Sequence, residues 1–266
     1  MNEIRKYMLE FGYNNDDIDK ICDNYSLSSF RIDTLYDKIK KNSLFLLSLG
    51  YSKQDVIKMT KLLPALFGLS VENIKQRLDD LISLGYGRQD VIKMTKLLPS
   101  LFGYSIENIK QKLDNLIELG YGRQDVIKMT KSFPSLLNYS IETIKQKLDD
   151  LVKLGYSRQD VIKMTKTFPS LLGLSIENVK KKLDFYGDIG IGNVFINDTK
   201  NLMQSVELSY ARYYFLYDKG IVIDESNYRK LFYNNKTFEK QFGVSKDYLL
   251  EKYPCEERKM KDGRTI

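Results

Sequence analysis

Residues 85–119 read GYGRQDVIKMTKLLPSLFGYSIENIKQKLDNLIEL, and close copies of this 35-residue unit precede and follow it. Glycines, prolines and serines that recur every 35 residues fix the period: Gly50, Gly85, Gly120, Gly155 and Gly190; Pro64, Pro99, Pro134 and Pro169; Ser70, Ser105, Ser140 and Ser175. A fixed period of about 20–50 residues in three or more copies is typical of solenoid proteins, whose units bury their apolar faces against their neighbours.

The unit at residues 50–84 predicts three helices. Ser52 is a favourable N-cap for a first long helix, which ends just before Pro64 because proline lacks the N–H that a helix interior requires. A short helix is expected over Pro64–Phe67, and Ser70 is placed to cap a second long helix. The predicted fold is therefore all-α, a superhelical α-solenoid of 35-residue repeats with two long helices and one short helix per unit.

The repeats predict four regions along the chain. Residues 1–49 resemble a degenerate repeat that caps the N-terminus, and residues 50–189 contain the four near-identical repeats. Residues 190–254 resemble a further degenerate repeat with a C-terminal helical cap, and residues 255–266 form a basic tail that we expect to be disordered. Atypical terminal units are expected of a repeat array, because each end has a neighbour on one side only.

Composition argues against catalysis and membrane insertion. The 266 residues include no histidine, and the two cysteines, Cys22 and Cys255, match no zinc or disulfide spacing. We therefore predict no enzyme activity, no metal and no cofactor. Because no apolar run reaches ~18–20 residues and no secretory signal is visible, we expect a soluble intracellular protein, either cytoplasmic or organellar without a recognisable presequence. The net charge of +7 is weakly indicative of a polyanionic partner.

A basic stripe is predicted on the first long helix. The octapeptide QDVIKMTK occurs identically at 54–61, 89–96, 124–131 and 159–166, and helical periodicity places its two lysines opposite the apolar side chains. Stacked repeats would align eight lysines, called here the lysine ladder: Lys58, Lys61, Lys93, Lys96, Lys128, Lys131, Lys163 and Lys166. Arg88, Arg123 and Arg158 flank the ladder at the helix starts. We predict that these eleven residues bind nucleic acid, since a periodic cationic ridge suits a periodic polyanion.

Two other interpretations of this stripe stay open. A lysine-bearing face opposite an apolar stripe is also what an ordinary solvated helix presents, and identical copies can result from recent duplication. α-Solenoids also bind peptides and proteins along one face. A protein-interaction scaffold is therefore the alternative function.

The repeat resembles the mTERF repeat, the motif of the mitochondrial transcription termination factors. The similar residues in the second unit are Leu84-Gly85-Tyr86, Gln89 to Lys96, Pro99 to Phe102, Ser105 to Glu107, and Lys112-Leu113 with Leu116 and Leu119. The resemblance, over roughly residues 50–220, implies a solenoid that holds duplex DNA or structured RNA in a basic groove, with roles in transcription termination or RNA metabolism. The four central units are more alike than is usual in that family, and none of its base-contacting residues is transferred to this chain.

A second resemblance, to TAL-effector-like repeats, covers less of the unit. Residues 88–92 are similar to the first helix of those repeats, which read one base per unit through two hypervariable residues. The corresponding stretch varies only weakly here, and no Gly-Gly turn follows it: Leu62, Leu97, Ser132 and Thr167. The mTERF resemblance is the stronger, and with it we favour duplex DNA or structured RNA as the partner of a monomeric protein, with a protein partner as the alternative.

The apolar pattern also predicts core residues. Met94 and Met129 are expected on the inward side of the first helix, and Tyr86, Tyr121 and Tyr156 are expected to pack between adjacent units. Four further tyrosines at helical spacing are expected to form the core of the C-terminal cap: Tyr210, Tyr213, Tyr214 and Tyr217.

Overall fold

A computed structural model describes residues 2–26 and 32–255, and these residues contain helices and turns but no β-strand. The predicted all-α repeat fold is confirmed. The prediction for the basic tail concerns residues that lie outside the described part of the chain, apart from Cys255. None of the helices described is long and apolar enough to cross a membrane.

The chain divides into two compact units, residues 1–141 and 142–266, a division that the repeat pattern does not mark. The described residues of the first unit form eight α-helices: α1 (Asn2–Phe11), α2 (Asn15–Ser26), α3 (Ile32–Ser48), α4 (Lys53–Leu62), α5 (Val71–Ser83), α6 (Arg88–Leu97), α7 (Ile106–Glu118) and α8 (Arg123–Ser132). In each repeat a 3-10 helix joins the two long helices: Pro64–Gly68, Pro99–Gly103 and Pro134–Asn138. Equivalent helices stack, α4 on α6 and α6 on α8, which is the arrangement of a solenoid.

The second unit begins one residue into α9, and its described residues form the remaining α-helices: α9 (Ile141–Lys153), α10 (Arg158–Thr167), α11 (Ile176–Asp188), α12 (Val206–Asp218), α13 (Asn235–Phe242) and α14 (Lys246–Lys252). Four 3-10 helices connect them: Pro169–Gly173, Gly192–Ile196, Thr199–Met203 and Tyr228–Phe232. In this unit α12 packs on α11 and α14.

Local chemistry explains the helix boundaries of a repeat. The hydroxyl of Ser52 accepts a hydrogen bond from the Asp55 N–H while the Asp55 carboxylate accepts from Ser52, which forms the reciprocal capping box. Ser70 caps α5 through the N–H of Asn73. Gly50 has φ +99°, the left-handed region that glycine adopts without a steric penalty, so it can follow the end of α3 and reverse the chain.

The core of each repeat follows the predicted apolar faces. Met94 and Met129 are fully buried, as predicted, and Val91, Leu101 and Ile109 are buried with them. In the C-terminal cap the prediction is only partly right: Tyr214 is buried, but Tyr217 is 54% exposed and therefore lies outside the core. The helical spacing places the four tyrosines on one face of α12, where their rings contact one another, and Tyr217 lies at the exposed end of that face.

Candidate nucleic-acid interface

Two of the bonds between successive repeats of the first unit recur from copy to copy, and together we call this recurring pair the repeat joint. In the joint between the first two repeats, the Tyr51 hydroxyl lies 2.6 Å from Thr95 Oγ1, and Lys96 Nζ lies 2.8 Å from a carboxylate oxygen of Asp55. Thr95 donates its own hydrogen to the Val91 carbonyl at 2.8 Å. Because a hydroxyl carries one hydrogen, Tyr51 is the donor to Thr95.

The same joint occurs three times within the first unit. The tyrosine–threonine distance is 2.6 Å in each copy, and the ion pair spans 2.8–3.3 Å: Tyr13–Thr60 with Asp17–Lys61, Tyr51–Thr95 with Asp55–Lys96, and Tyr86–Thr130 with Asp90–Lys131. Tyr86 therefore packs between adjacent repeats, as predicted. In the Tyr51 and Tyr86 copies the tyrosine and the threonine are 44 residues apart, and this recurrence was a signal in the sequence that could have identified the pair.

Burial changes the electrostatics at these joints. Desolvation raises the pKa of Tyr51 and of Tyr86 to about 12, even though the hydrogen bond with threonine acts in the opposite direction. Partial burial of Asp55 acts to raise its pKa, but hydrogen bonds from Lys96 and Ser52 outweigh it and hold the pKa below the usual value. Asp55 therefore stays ionised and keeps Lys96 in an ion pair.

The joints divide the lysine ladder into two classes. Lys61, Lys96 and Lys131 are called here the paired lysines, because each forms an ion pair with an aspartate of the preceding repeat. Lys58, Lys93 and Lys128, called here the open lysines, are exposed and form no ion pair or hydrogen bond with any residue that the structure describes. The sequence placed both classes on one cationic face, since helical periodicity does not reveal the inter-repeat aspartate.

Five of the predicted residues remain, and their surroundings differ. Arg88 and Arg123 are exposed and form no ion pair within the described residues. In the second unit, Arg158 pairs with Asp149 at 2.9 Å and Lys163 donates to Asn197 at 2.7 Å. Lys166 is exposed. The amide of Asn197 leaves the charge of Lys163 uncompensated, whereas Asp149 neutralises Arg158.

Several lysines of the second long helix serve the fold. Lys112 donates to the carbonyl oxygen of Tyr139 at 3.2 Å, beside the 3-10 helix of the following repeat. Within the second unit, Lys147 donates to the Leu174 carbonyl and Lys182 to the Leu202 carbonyl, each at 2.5 Å. These side chains satisfy backbone acceptors near the 3-10 helices, so they add nothing to the exposed cationic face.

The structure thus accounts for most of the octapeptide. In the copy at 89–96, valine and methionine are buried in the core, aspartate lies in the first turn of its helix and pairs across the joint, and threonine and the second lysine complete the preceding joint. Gln89 and Lys93 remain, since both are exposed and contact no described residue through a hydrogen bond or ion pair. Contacts within the described fold therefore do not explain why this glutamine and this lysine are the same in every repeat.

The family model described as mTERF matches residues 1–153 and 81–189, which together span well over half of the chain. The chain belongs to the mTERF family. No curated protein matches it. Membership in the mTERF family supports nucleic-acid binding in general, and the resemblance deduced from the Gly–Pro–Ser frame of the repeats is confirmed.

Proposed function

We propose that this mTERF-family protein binds duplex DNA or structured RNA through the open lysines of its first unit, assisted by Arg88 and Arg123. One observation carries the proposal. Lys58, Lys93 and Lys128 occupy the same place in three successive repeats, are exposed, and form no hydrogen bond or ion pair with any described residue. Recent duplication is a weak explanation of that identity. The residue just before the octapeptide changes from Lys53 to arginine, and the residue just after it changes from leucine to serine or threonine.

The proposal assigns phosphate contact to fewer residues than the eleven predicted from the sequence. The paired lysines are held by aspartates, so a phosphate would have to displace a carboxylate before contacting them. The open lysines carry no such cost and present compact ammonium groups, which suit phosphate oxygens. We propose that binding of this kind serves transcription termination, transcription regulation or RNA metabolism, the roles that the family suggests.

Two double variants with the same change in net charge test the assignment. For Lys93→Ala/Lys128→Ala, the log–log dependence of affinity on salt should flatten by about 1.8, because each lost phosphate contact removes about 0.9 from the slope. For Lys96→Ala/Lys131→Ala, the slope should change by less than half as much. Affinity is measured by fluorescence anisotropy at several salt concentrations on duplex DNA, structured RNA and single strands.

The three ligands and two variants separate the possible outcomes. Equal changes in both variants would indicate that net charge acts at long range and would remove the special role of the open lysines. If neither variant changes the slope, the face does not bind phosphate. The second candidate, a protein-interaction scaffold, then takes precedence, and it is supported by Leu62 and Leu97, which are 62% and 60% exposed beside the ladder.

A further inference from the structure

The open lysines belong to a longer row on the first helix of each repeat. In α6 the row is Gln89, Lys93 and Leu97, and in α8 it is Gln124, Lys128 and Ser132. Residues four positions apart lie on the same face of a helix, so each row forms one continuous exposed strip. Glutamine and lysine are the same in both rows, and only the last residue differs.

Packing does not explain the difference at that last position. Leu97 is 60% exposed, so its side chain contributes little to the core. The hydroxyl of Ser132 donates to the Met129 carbonyl of its own helix at 3.0 Å and forms no hydrogen bond with a neighbouring repeat among the described residues. The exposed change therefore has no compensating partner in the fold.

The core shows what a compensated change looks like. Leu98 and Phe102 of the second repeat are replaced by Phe133 and Leu137 in the third, so that one leucine and one phenylalanine are kept at exchanged places. Exchanges that conserve volume are the ones that a packed core tolerates best. Variation at Leu97 and Ser132 lies outside this exchange and faces solvent.

We propose that Leu97 and Ser132 are specificity-determining residues that contact base edges in the major groove of duplex DNA, with Leu97 against the C5 methyl group of thymine. The inference rests on the proposed function, because a phosphate contact by the open lysines would hold this strip against the duplex. Position 97 lies four residues, about 6 Å along the helix axis, beyond Lys93, and the major groove of B-form DNA admits an α-helix.

The chemistry of the side chains selects the ligand. An exposed leucine offers only apolar contact, and the thymine methyl is the apolar group that base pairs present in the major groove. A serine in the same place offers a hydrogen bond and no methyl-sized apolar surface. Structured RNA lacks that methyl, and the deep, narrow major groove of A-form helices is closed to side chains.

The two remaining counterparts are less suited to a first test. Leu62 lines an open groove with Ile21 and Asp23 of α2, so neighbouring side chains would influence its contacts. Thr167 lies in the second unit, where its hydroxyl donates to the Lys163 carbonyl at 2.8 Å. Leu97 and Ser132 lie in one unit and on equivalent helices, which makes them a matched pair.

The test uses the full chain and an exchange that conserves composition and charge, Leu97→Ser/Ser132→Leu. Preferred duplexes are first selected from a randomised DNA pool with the parent protein. Replacing one thymidine at the preferred position by deoxyuridine removes only the methyl group and should weaken parent binding about fourfold, the factor expected for one buried methyl-sized group. Leu97→Ser should bind both duplexes equally, and the exchange variant should select a changed sequence.

Controls separate this inference from the function on which it rests. The salt slope of Leu97→Ser and of the exchange variant should equal that of the parent, since no phosphate contact is altered. Asn108→Thr replaces an exposed residue of the second helix by its counterpart in the third repeat and should leave sequence preference unchanged. Thermal unfolding of each variant confirms that the fold is intact.

Three results would overturn the inference. The exchange variant could select the same sequences as the parent, it could lose affinity equally for all sequences, or the parent could bind structured RNA in preference to duplex DNA. In each of these cases a parent salt slope that still depends on Lys93 and Lys128 would leave the proposed function standing. If replacing Lys93 and Lys128 leaves the salt dependence of affinity unchanged, both the proposed function and this inference are wrong.

Discussion

The repeat joints of the first unit differ in chemistry from the contacts that hold the C-terminal cap of the second unit together. Each repeat joint combines one hydrogen bond and one partly exposed ion pair and is copied with little change. In the cap, the Arg212 guanidinium is buried and donates to the carbonyls of Leu231 and Tyr233 at 2.8 and 2.6 Å. The repeat joints therefore distribute weak contacts over several copies, whereas the cap concentrates its polar contacts on the Arg212 side chain.

The tyrosine at the start of the fourth repeat shows where the copying stops. Tyr156, the counterpart of Tyr51 and Tyr86, donates its hydroxyl to the carbonyl of Gly192 at 3.0 Å and not to a threonine. Desolvation still raises its pKa to about 12. The fourth repeat therefore keeps a partly buried phenol, and the degenerate repeat that follows supplies a backbone carbonyl in place of the threonine hydroxyl.

The largest effect is expected in the apolar layer beneath the joints. Met94→Asp should destabilise the protein by more than about 4 kcal/mol, because it buries an unpaired carboxylate among apolar side chains. Urea unfolding followed by circular dichroism measures the change. Leu97→Asp, three residues away on the exposed face, should stay within about 0.5 kcal/mol of the parent. Equal effects of the two substitutions would show that the helix is rotated from the described orientation.

The second effect tests how strongly the cap depends on one residue. Arg212→Met should cost about 3 kcal/mol, because two backbone carbonyls, Gln204 and Asn235 lose their donor. Burial lowers the pKa of Arg212 to about 10, so its guanidinium remains charged at neutral pH. The guanidinium also lies 4.5 Å from the centre of the Phe238 ring, which compensates part of its desolvation.

Arg229 is the control for that substitution. Its side chain is largely exposed beside Asp198, so Arg229→Ala should leave the urea midpoint of unfolding nearly unchanged. Should Arg212→Met be as mild as the control, the aromatic side chains of the cap would be its main source of stability. The contrast between distributed and concentrated contacts would then be wrong.

These two units also show what the sequence could predict. The glycine–proline–serine frame determines helix boundaries, because turns, helix ends and caps depend on residues close in the chain. The apolar faces were predictable for the same reason, and Met94 and Met129 are buried as expected. Arg212 was not identified, since its acceptors Leu231 and Tyr233 lie 19 and 21 residues away on a degenerate segment.

For the candidate interface, the sequence predicted the cationic face but not its division. Lys93 and Lys96 are three residues apart on one helix, and local patterning gives them the same environment. Asp55 lies 41 residues before Lys96 and approaches it only through the stacking of repeats. Non-local contacts of this kind require the packing of the repeats and cannot be read from helical periodicity.

A smaller effect is expected at the hydrogen bonds of the joints. Tyr51→Phe and Tyr86→Phe should each cost about 1 kcal/mol at pH 7, because each removes one hydrogen bond to a threonine that its own helix still satisfies partly. Tyr104→Phe, which removes an exposed hydrogen bond to Asn138, should cost less than about 0.5 kcal/mol.

The raised phenol pKa adds a pH dependence to this prediction. The folded state keeps the proton of Tyr51 up to about pH 12, whereas the unfolded chain releases it near pH 10. Its contribution to stability is therefore complete below pH 10 and is lost as the pH rises from 10 to 12. The advantage of the parent over Tyr51→Phe should shrink over that range in urea midpoints, and an unchanged advantage would place the phenol in contact with water.

The smallest effect distinguishes the two classes of lysine by stability alone. Lys96→Ala removes an ion pair whose side chains are 31% and 27% exposed, and we expect a loss of about 0.5–1 kcal/mol. Lys93→Ala, in the same helix with the same loss of charge, should be neutral within about 0.3 kcal/mol because no described residue pairs with it.

The ion pair of Lys96 also predicts a dependence on pH. Since the pKa of Asp55 is lowered from the ordinary 3.8, the contribution of the pair should be present above that pH and disappear as the pH falls through the lowered pKa. Urea midpoints at pH 7 and pH 3, at low and high salt, measure the difference between the variants. A loss for Lys93→Ala equal to that for Lys96→Ala would give the open lysines a structural role, and their invariance would no longer support a binding surface.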